Sequence, residues 1–523
     1  MRNHIILLAL GSLLVFGCKP TPRTAVTAQH KEDKQAAPAE PSAEPQTEAQ
    51  KPAPEVSVPG LVEVSSTRQD YNRLRPWEKE KAGSMSCKGV YLGEGRVLTV
   101  GRVARAATYV ELSLPDHSRT VPARVLKYDD ALDLALLTVE HAEDASLFSE
   151  LTAHEVGEPL IPGSRAELRT LVQGITPVRV EVEVEGVNED ENLPRLELRS
   201  DKPLPSGTGA GLPILKDGRI VALVDAADTR DQSLTCINAE FIHRFLDEST
   251  AAGNDVPVVG VVFTTLNDPV FSRYLKLNPE QGGIYVSEVL PSGSAHAAGI
   301  CKGDVLTSID GLPLDKQGRG KHPLYGLISA QHLIRSLKPV GNHIRLGISR
   351  GGEQLEVEVP LNRDAVDKSL MGEDRPGVPP RYIMWGGMLF QPLSHTYLEA
   401  LQKRAGSLPL PLLELQDRRS ALAEEGRKEL VGLTLVIPTP ATLGYDGLGF
   451  CLVEKVNGKI VRSFADFSDL LDEPTEDGLV DIELNRAPYH IYLDRQTVEA
   501  ANDVIRRRVI PRLRRMGDDE ALR

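Results

Sequence analysis

The sequence predicts a mainly β protein of several domains, and three observations carry that expectation. Short runs of alternating apolar and polar residues recur between turn residues through 60–250, as in Tyr109-Val-Glu-Leu-Ser-Leu, Val178-Arg-Val-Glu-Val-Glu-Val and Ile220-Val-Ala-Leu-Val. Period-two alternation is what a strand with one buried face requires. Aromatic residues make up only 5% of the chain, and Val, Leu and Gly run high through its middle, which suits aliphatic β cores with many turns. At 523 residues the chain exceeds what one hydrophobic core usually serves, so three or four domains are expected.

Met1–Cys18 reads as an export signal: a short polar start at Arg2 and His4, an apolar run Ile5–Phe16, then Gly17-Cys18. The run is too short to be a comfortable membrane span. Its Val15-Phe16-Gly17-Cys18 end is similar to a bacterial lipobox, which implies lipidation at Cys18; an ordinary signal peptide with an incidental cysteine is the alternative. Residues 19–59, dominated by Pro, Ala, Glu, Gln and Lys, cannot bury enough apolar surface to offset chain entropy, and are expected to form a hydrated tether. Lys plus Arg total 60 against 74 Asp plus Glu, a net charge of −14, which disfavours a nucleic-acid partner. Cys87, Cys236, Cys301 and Cys451 show neither CxxC nor histidine spacing, so neither a metal site nor a cofactor is expected.

The 60–250 segment carries three motifs. Gly89-Val-Tyr-Leu-Gly-Glu-Gly-Arg-Val-Leu-Thr-Val-Gly-Arg102-Val-Ala reads as strand, turn and strand ending at Arg102. Ala131-Leu-Asp133-Leu-Ala-Leu-Leu places a carboxylate at the head of a buried strand. Pro205-Ser-Gly-Thr-Gly209-Ala-Gly-Leu-Pro-Ile-Leu reads as a glycine-rich loop entering a hairpin. Together these resemble the histidine, aspartate and serine segments of HtrA/Deg-family serine proteases. The resemblance implies a trypsin-like pair of six-stranded barrels, with a helix-like pattern at Ala239–Leu246 closing the domain.

By the same resemblance, Arg102 stands where the family has its histidine and Gly209 where it has its serine, while Asp133 is retained. Hydrolysis by this mechanism needs a nucleophile, a base that can accept its proton, and a group orienting the base. An arginine guanidinium stays protonated, with a pKa above ~12, and glycine has no side chain to attack with. Arg102 and Asp133 lie side by side in the family fold, so a direct ion pair between them is expected. Ser206, Thr208, His117, His154 and His243 are the residues from which a rewired site would have to be built.

Residues 256–363 contain Gly283-Ile-Tyr-Val-Ser-Glu-Val-Leu-Pro-Ser-Gly-Ser-Ala-His-Ala-Ala-Gly299 and Gly303-Asp304-Val-Leu-Thr-Ser-Ile-Asp310-Gly311, which resemble the centre of an HtrA-type PDZ domain. Residues 376–515 resemble the divergent second PDZ domain of plant-type Deg proteases, with an insertion at Gln402–Val431 expected to cover the first groove or meet a neighbouring subunit. A weak internal repeat sets Gly260-Val-Val-Phe against Gly387-Met-Leu-Phe. PDZ domains take an extended peptide as an added strand and hold its terminal carboxylate on backbone N–H groups. The resemblance places that site at Val259, Gly260, Val261 and Val262 in the first domain, and at Trp385, Gly386, Gly387, Met388 and Leu389 in the second. The run Arg506–Arg515 reads either as the solvated end of a helix or as an anionic-lipid site.

Two functions follow from the residues. One is a non-catalytic homologue that binds peptides or protein C-termini as an envelope scaffold, adaptor or holding chaperone, anchored by lipid on the periplasmic side and, by family analogy, a homotrimer. The other is an active serine-type endopeptidase with a rebuilt catalytic site.

Overall fold

The computed structural model describes residues 60–149, 151–189, 192–247, 255–278 and 281–517. Cys18 and the 19–59 segment lie outside them.

Six strands, β1 (Leu61–Arg68), β2 (Gly83–Gly93), β3 (Arg96–Val100), β4 (Ala107–Ser113), β5 (Thr120–Asp129) and β6 (Leu134–Val139), close a barrel in the order β1-β2-β3-β6-β5-β4. Alternation puts Val64, Val90, Leu98, Leu112 and Leu137 fully inside it, where apolar burial supplies the main driving force. A second closed barrel runs β10-β11-β12-β9-β8-β7. Its strands are β7 (Arg165–Val172), β8 (Thr176–Asn188), β9 (Arg195–Arg199), β10 (Pro213–Lys216), β11 (Arg219–Asp228) and β12 (Ser233–Asn238). Helix α1 (Ala239–Leu246) closes it, with Asn238 as N-cap accepting from the Ala239 N–H. The same amide bonds both polar groups of Leu160, so one buried polar residue ends a strand, starts a helix and ties down a loop.

The next layer is a sheet in the order β13-β14-β15-β19-β20. Its elements are β13 (Val261–Thr265), α2 (Pro269–Tyr274), β14 (Ile284–Val289), α3 (Ser294–Ala297), β15 (Val305–Ile309) and β16 (Leu312–Pro313). Then come β17 (Arg319–His322), β18 (Gly326–Ser329), α4 (Ala330–Leu337), β19 (His343–Arg350) and β20 (Glu353–Pro360). The short turn α5 (Asp364–Asp367) leads on to β21 (Tyr382–Trp385), β22 (Met388–Pro392), α6 (His395–Ala405), α7 (Leu410–Glu424), β23 (Val431–Val436), β24 (Cys451–Val456) and β25 (Lys459–Ile460). The chain closes with α8 (Phe464–Asp472), β26 (Leu479–Leu484), β27 (His490–Asp494), α9 (Arg495–Arg508) and β28 (Arg514–Arg515). This last sheet runs β27-β26-β24-β23-β22-β21-β28. It repeats the five-strand order of the preceding sheet and adds β21 and β28 beyond β22.

Helices α6 and α7 have their own apolar cluster, in which Leu398, Leu401, Leu412 and Leu422 pack with Leu370 and Met371 of the connecting segment. The β1–β2 loop reaches the final sheet. Arg73, 6% exposed, donates to the Val378 and Arg375 carbonyls, while Gln391 donates to the Arg73 carbonyl at 3.0 Å. Arg515 lies over the rings of both Tyr71 and Tyr382. Arg514 forks onto the Asp472 carboxylate at 2.5 and 2.7 Å. The C-terminal arginine run is therefore partly used inside the molecule, which the sequence reading did not foresee.

Candidate functional site: the inter-barrel crevice and the PDZ strand edges

A single helical turn, Gly101–Val103, follows β3 and carries Arg102 into the space between the barrels. The Arg102 backbone N–H donates to Asp133 Oδ1 at 2.7 Å, and its guanidinium meets Asp133 Oδ2 at 2.8 Å. The same guanidinium pairs with the Asp225 carboxylate and donates to the Asp225 carbonyl at 3.1 Å. Arg195, on β9 and 4% exposed, approaches the other Asp225 oxygen at 3.4 Å and donates to the Leu132 carbonyl at 3.1 Å. Charges thus alternate Asp133, Arg102, Asp225, Arg195, two of each sign. Burial is the largest influence on the Asp133 carboxyl and pushes its pKa up, opposed first by the Arg102 charge, then by the Arg102 N–H and Arg195. A buried carboxylate survives as an anion only where such partners offset its desolvation.

Asp225 and Arg195 were missed by sequence reasoning. The one local signal was an acidic residue closing the buried run Ile220-Val-Ala-Leu-Val. Nothing in the sequence joins that residue to Arg102.

Gly209 faces open space: a Cβ built there meets nothing within 4 Å. Two residues on, Gly211 has φ +87°, and a Cβ there would lie 1.8 Å from the Lys88 carbonyl oxygen. The loop is fastened to the first barrel by the Lys88 N–H donating to Ala210 O at 2.9 Å. Thr208 spends its hydroxyl on the Pro205 carbonyl at 2.8 Å. His154 Nδ1 sits 2.9 Å from the Gly218 carbonyl and His243 Nε2 2.9 Å from that of Gly157. His117 occupies the β4–β5 turn. Among the described residues, no imidazole bonds a hydroxyl of this loop. The Cys87 thiol, bonded to Thr99, is pushed up to about 11 by burial, far from a thiolate nucleophile at neutral pH. Among the described residues, no cluster of three or more His, Cys, Asp or Glu is arranged to hold a metal.

Val259 and Gly260 are buried just before β13, and β13 is the edge strand of its sheet, with Val262 42% exposed. The carbonyls of Val259 and Gly260 accept from Ala295 and Leu290 at 3.0 and 2.8 Å. Among the described residues, their own N–H groups have no acceptor. This is the pairing state an added strand and a terminal carboxylate would complete.

The second expected peptide site lies in a different setting. Trp385, Met388 and Leu389 are buried, and β22 pairs with β21 on one side and β23 on the other. The Gly386 N–H donates to Asn502 Oδ1 at 2.8 Å, and the Gly387 carbonyl accepts from Ile437 at 2.7 Å. A peptide has no free edge to join at β22, because β21 already lies where β13 leaves its sheet open.

Comparison with known proteins fits this architecture. The PDZ-domain family matches residues 373–514 in one form and 272–319 in another. The chain is similar to Protease Do-like 2, chloroplastic, of Arabidopsis thaliana, at 25% identity over 79% of this chain and 67% of that one. It is similar to the periplasmic serine endoprotease DegP of Escherichia coli strain K12, at 25% identity over 52% of this chain and 55% of that one. A solved structure described as HtrA-type protease AlgWS227A with decapeptide matches with TM-score 0.42 at 17% identity, over 58% of this chain and 95% of that one.

Proposed function

Because the chain is a homologue of the HtrA/Deg-type trypsin-like serine proteases with PDZ domains, we propose that it keeps their scaffold without hydrolysis and binds polypeptide ends through its first PDZ domain. The observation that carries this reading is the Arg102 guanidinium clamped between Asp133 and Asp225. A permanent cation in that position cannot take a proton from a hydroxyl. With glycine at 209, the loop supplies no attacking oxygen there. The open edge of β13 supports peptide capture, and the filled edge of β22 supports a structural role for the second PDZ domain.

The proposed setting is the cell envelope, with the protein attached through lipid on Cys18 and acting as scaffold, adaptor or holding chaperone, as a homo-oligomer. The periplasmic relatives support that location. No helix among the described residues is long and apolar enough to cross a membrane.

The test pairs two measurements on the purified chain. A fluorophosphonate probe for activated serines should leave the protein unlabelled while fluorescent C-terminal peptides bind. Casein cleavage lost in Ser206→Ala or Thr208→Val would overturn the inert reading. The Arg102→His plus Gly209→Ser protein is the matched control for a restored site.

A further inference from the structure

Helix α2 buries none of its six residues, yet it carries rings held in mutual contact. The Phe271 ring meets Tyr285 of β14 edge-on, at a centroid distance of 5.1 Å, and lies within 11° of parallel to Tyr274 at 6.3 Å. Tyr274 is 79% exposed and its neighbour Val270 61%. Single exposed apolar side chains are ordinary on a protein surface. In a chain with only 5% aromatic residues, three rings that support one another and leave a face to water form a ready contact surface.

The occupant follows from where this ledge stands. β13 ends at Thr265, and α2 begins a short link later at Pro269. Thr264 pairs in register with Tyr285, so the rings stand at the end of β13 opposite Gly260. The N–H groups of Val259 and Gly260, unspent among the described residues, lie at the start of the same strand. A polypeptide whose terminal carboxylate meets them can lie along the open edge of β13 only antiparallel, with its upstream residues running toward Thr265 and α2. At ~3.3 Å per residue, those that reach α2 are about four to six positions before the end. Charge narrows the chemistry. Arg273 of α2 and Lys276 just beyond it are exposed, so a basic ligand side chain meets like charge there, whereas an aromatic one gains stacked or edge-to-face partners.

We propose that the Phe271, Tyr274 and Tyr285 ledge is a second contact for a polypeptide held at β13, taking an aromatic side chain upstream of the ligand's end. The proposal rests on reading the first PDZ domain as a receptor for polypeptide ends. It names the ligands selected: chains with a free carboxylate and a Trp, Tyr or Phe about four to six positions before it. β13 recognises that an end is present, and α2 discriminates among the chains that offer one.

The experiment uses the full chain and fluorescein-labelled short peptides ending in Ala-Leu-Val with a free acid. They differ only in a Trp, Ala or Arg about five positions before the end. The Trp peptide should bind roughly 5-fold tighter than the Ala peptide, and the Arg peptide no tighter than the Ala peptide. Tyr274 is exposed, so its replacement leaves the fold intact. In Tyr274→Ala the Trp-to-Ala affinity ratio should fall to about 1, and Tyr274→Phe should keep the wild-type ratio. Equal affinities for the Trp and Ala peptides in the wild type, or a ratio that survives Tyr274→Ala, overturns the ledge while peptide binding at β13 stands. A Trp peptide that binds as well with a C-terminal amide as with a free acid overturns the carboxylate-led alignment, and the ledge with it. A wild-type chain that binds none of the peptides overturns both the ledge and the reading beneath it.

Discussion

Asp225 on β11 holds Arg102 of the first barrel from across the crevice, through its carboxylate and its carbonyl together. Arg195 backs the same carboxylate from within the second barrel. Arg102 and Asp225 thus form an ionic contact that spans the two barrels.

Removing Arg102 takes the shared cation from Asp133 and Asp225 and leaves Arg195 beside Asp225. Asp133 and Asp225 are 18% and 11% exposed, while Arg102 itself is 37% exposed. Solvent screening therefore reduces the full cost of an orphaned buried charge. Arg102→Ala should lose roughly 1–3 kcal/mol, read as a lower urea midpoint with an unchanged slope. A variant as stable as wild type would show that the network contributes nothing to holding the barrels.

Two of the three glycines in the 205–211 loop, Gly209 and Gly211, should respond differently. Gly209→Ser adds a side chain into open space and should fold normally with stability within ~0.5 kcal/mol of wild type. Gly211→Ala must place a Cβ 1.8 Å from the Lys88 carbonyl at φ +87°. It should cost upwards of ~2 kcal/mol or fail to fold, because strain and clash add. Circular dichroism melts of the two purified variants decide it.

Glu240 on α1 faces Tyr325 of the β17–β18 hairpin and Arg244 one turn along its own helix. Burial pushes its carboxyl from 4.5 up to about 7, against the pull of the Tyr325 hydroxyl and the Arg244 charge. The folded chain then holds a proton that the unfolded chain has released between those two values. Stability should fall as pH rises from about 4.5 to about 7 and level off above, with each pKa unit worth about 1.4 kcal/mol. Glu240→Gln should flatten that stretch and be the more stable protein at pH about 8. Parallel urea titrations at pH about 5 and about 8 provide the measurement, and identical slopes in both proteins would refute it.

Arg73 joins the β1–β2 loop to the last sheet with its side chain almost wholly buried. Arg73→Ala removes the donor to the Arg375 and Val378 carbonyls and the cation beside Asp70 and Asp374, which keep the Tyr71 and Gly377 N–H groups and the Ser394 hydroxyl. The change should cost roughly 2–4 kcal/mol and expose the 69–80 loop to limited proteolysis. Unaltered cleavage kinetics would mean that the other contacts, Gln391 and Arg515 among them, hold the loop without it.

The strand pattern was legible because period-two burial and turn residues are local properties of the chain, whereas the barrel pair and the PDZ domains were expected only from the resemblance to the HtrA/Deg family. The proposed loss of hydrolysis rests on information of the same local kind: whether a side chain can accept a proton or attack is set by its covalent structure, and Arg102 and Gly209 carry that information wherever they are placed. Partnership is not local. Asp225 lies 123 positions from Arg102, and no spacing rule links them; only the closure of two barrels brings them into contact. The two glycine-led strands Val261–Thr265 and Met388–Pro392 read alike in sequence. They differ because β21 folds back along one and nothing described pairs the outer edge of the other. Residue identity carries the proposal for what the crevice can do. Long-range pairing, which depends on where distant segments come to rest, decided which edge stays open.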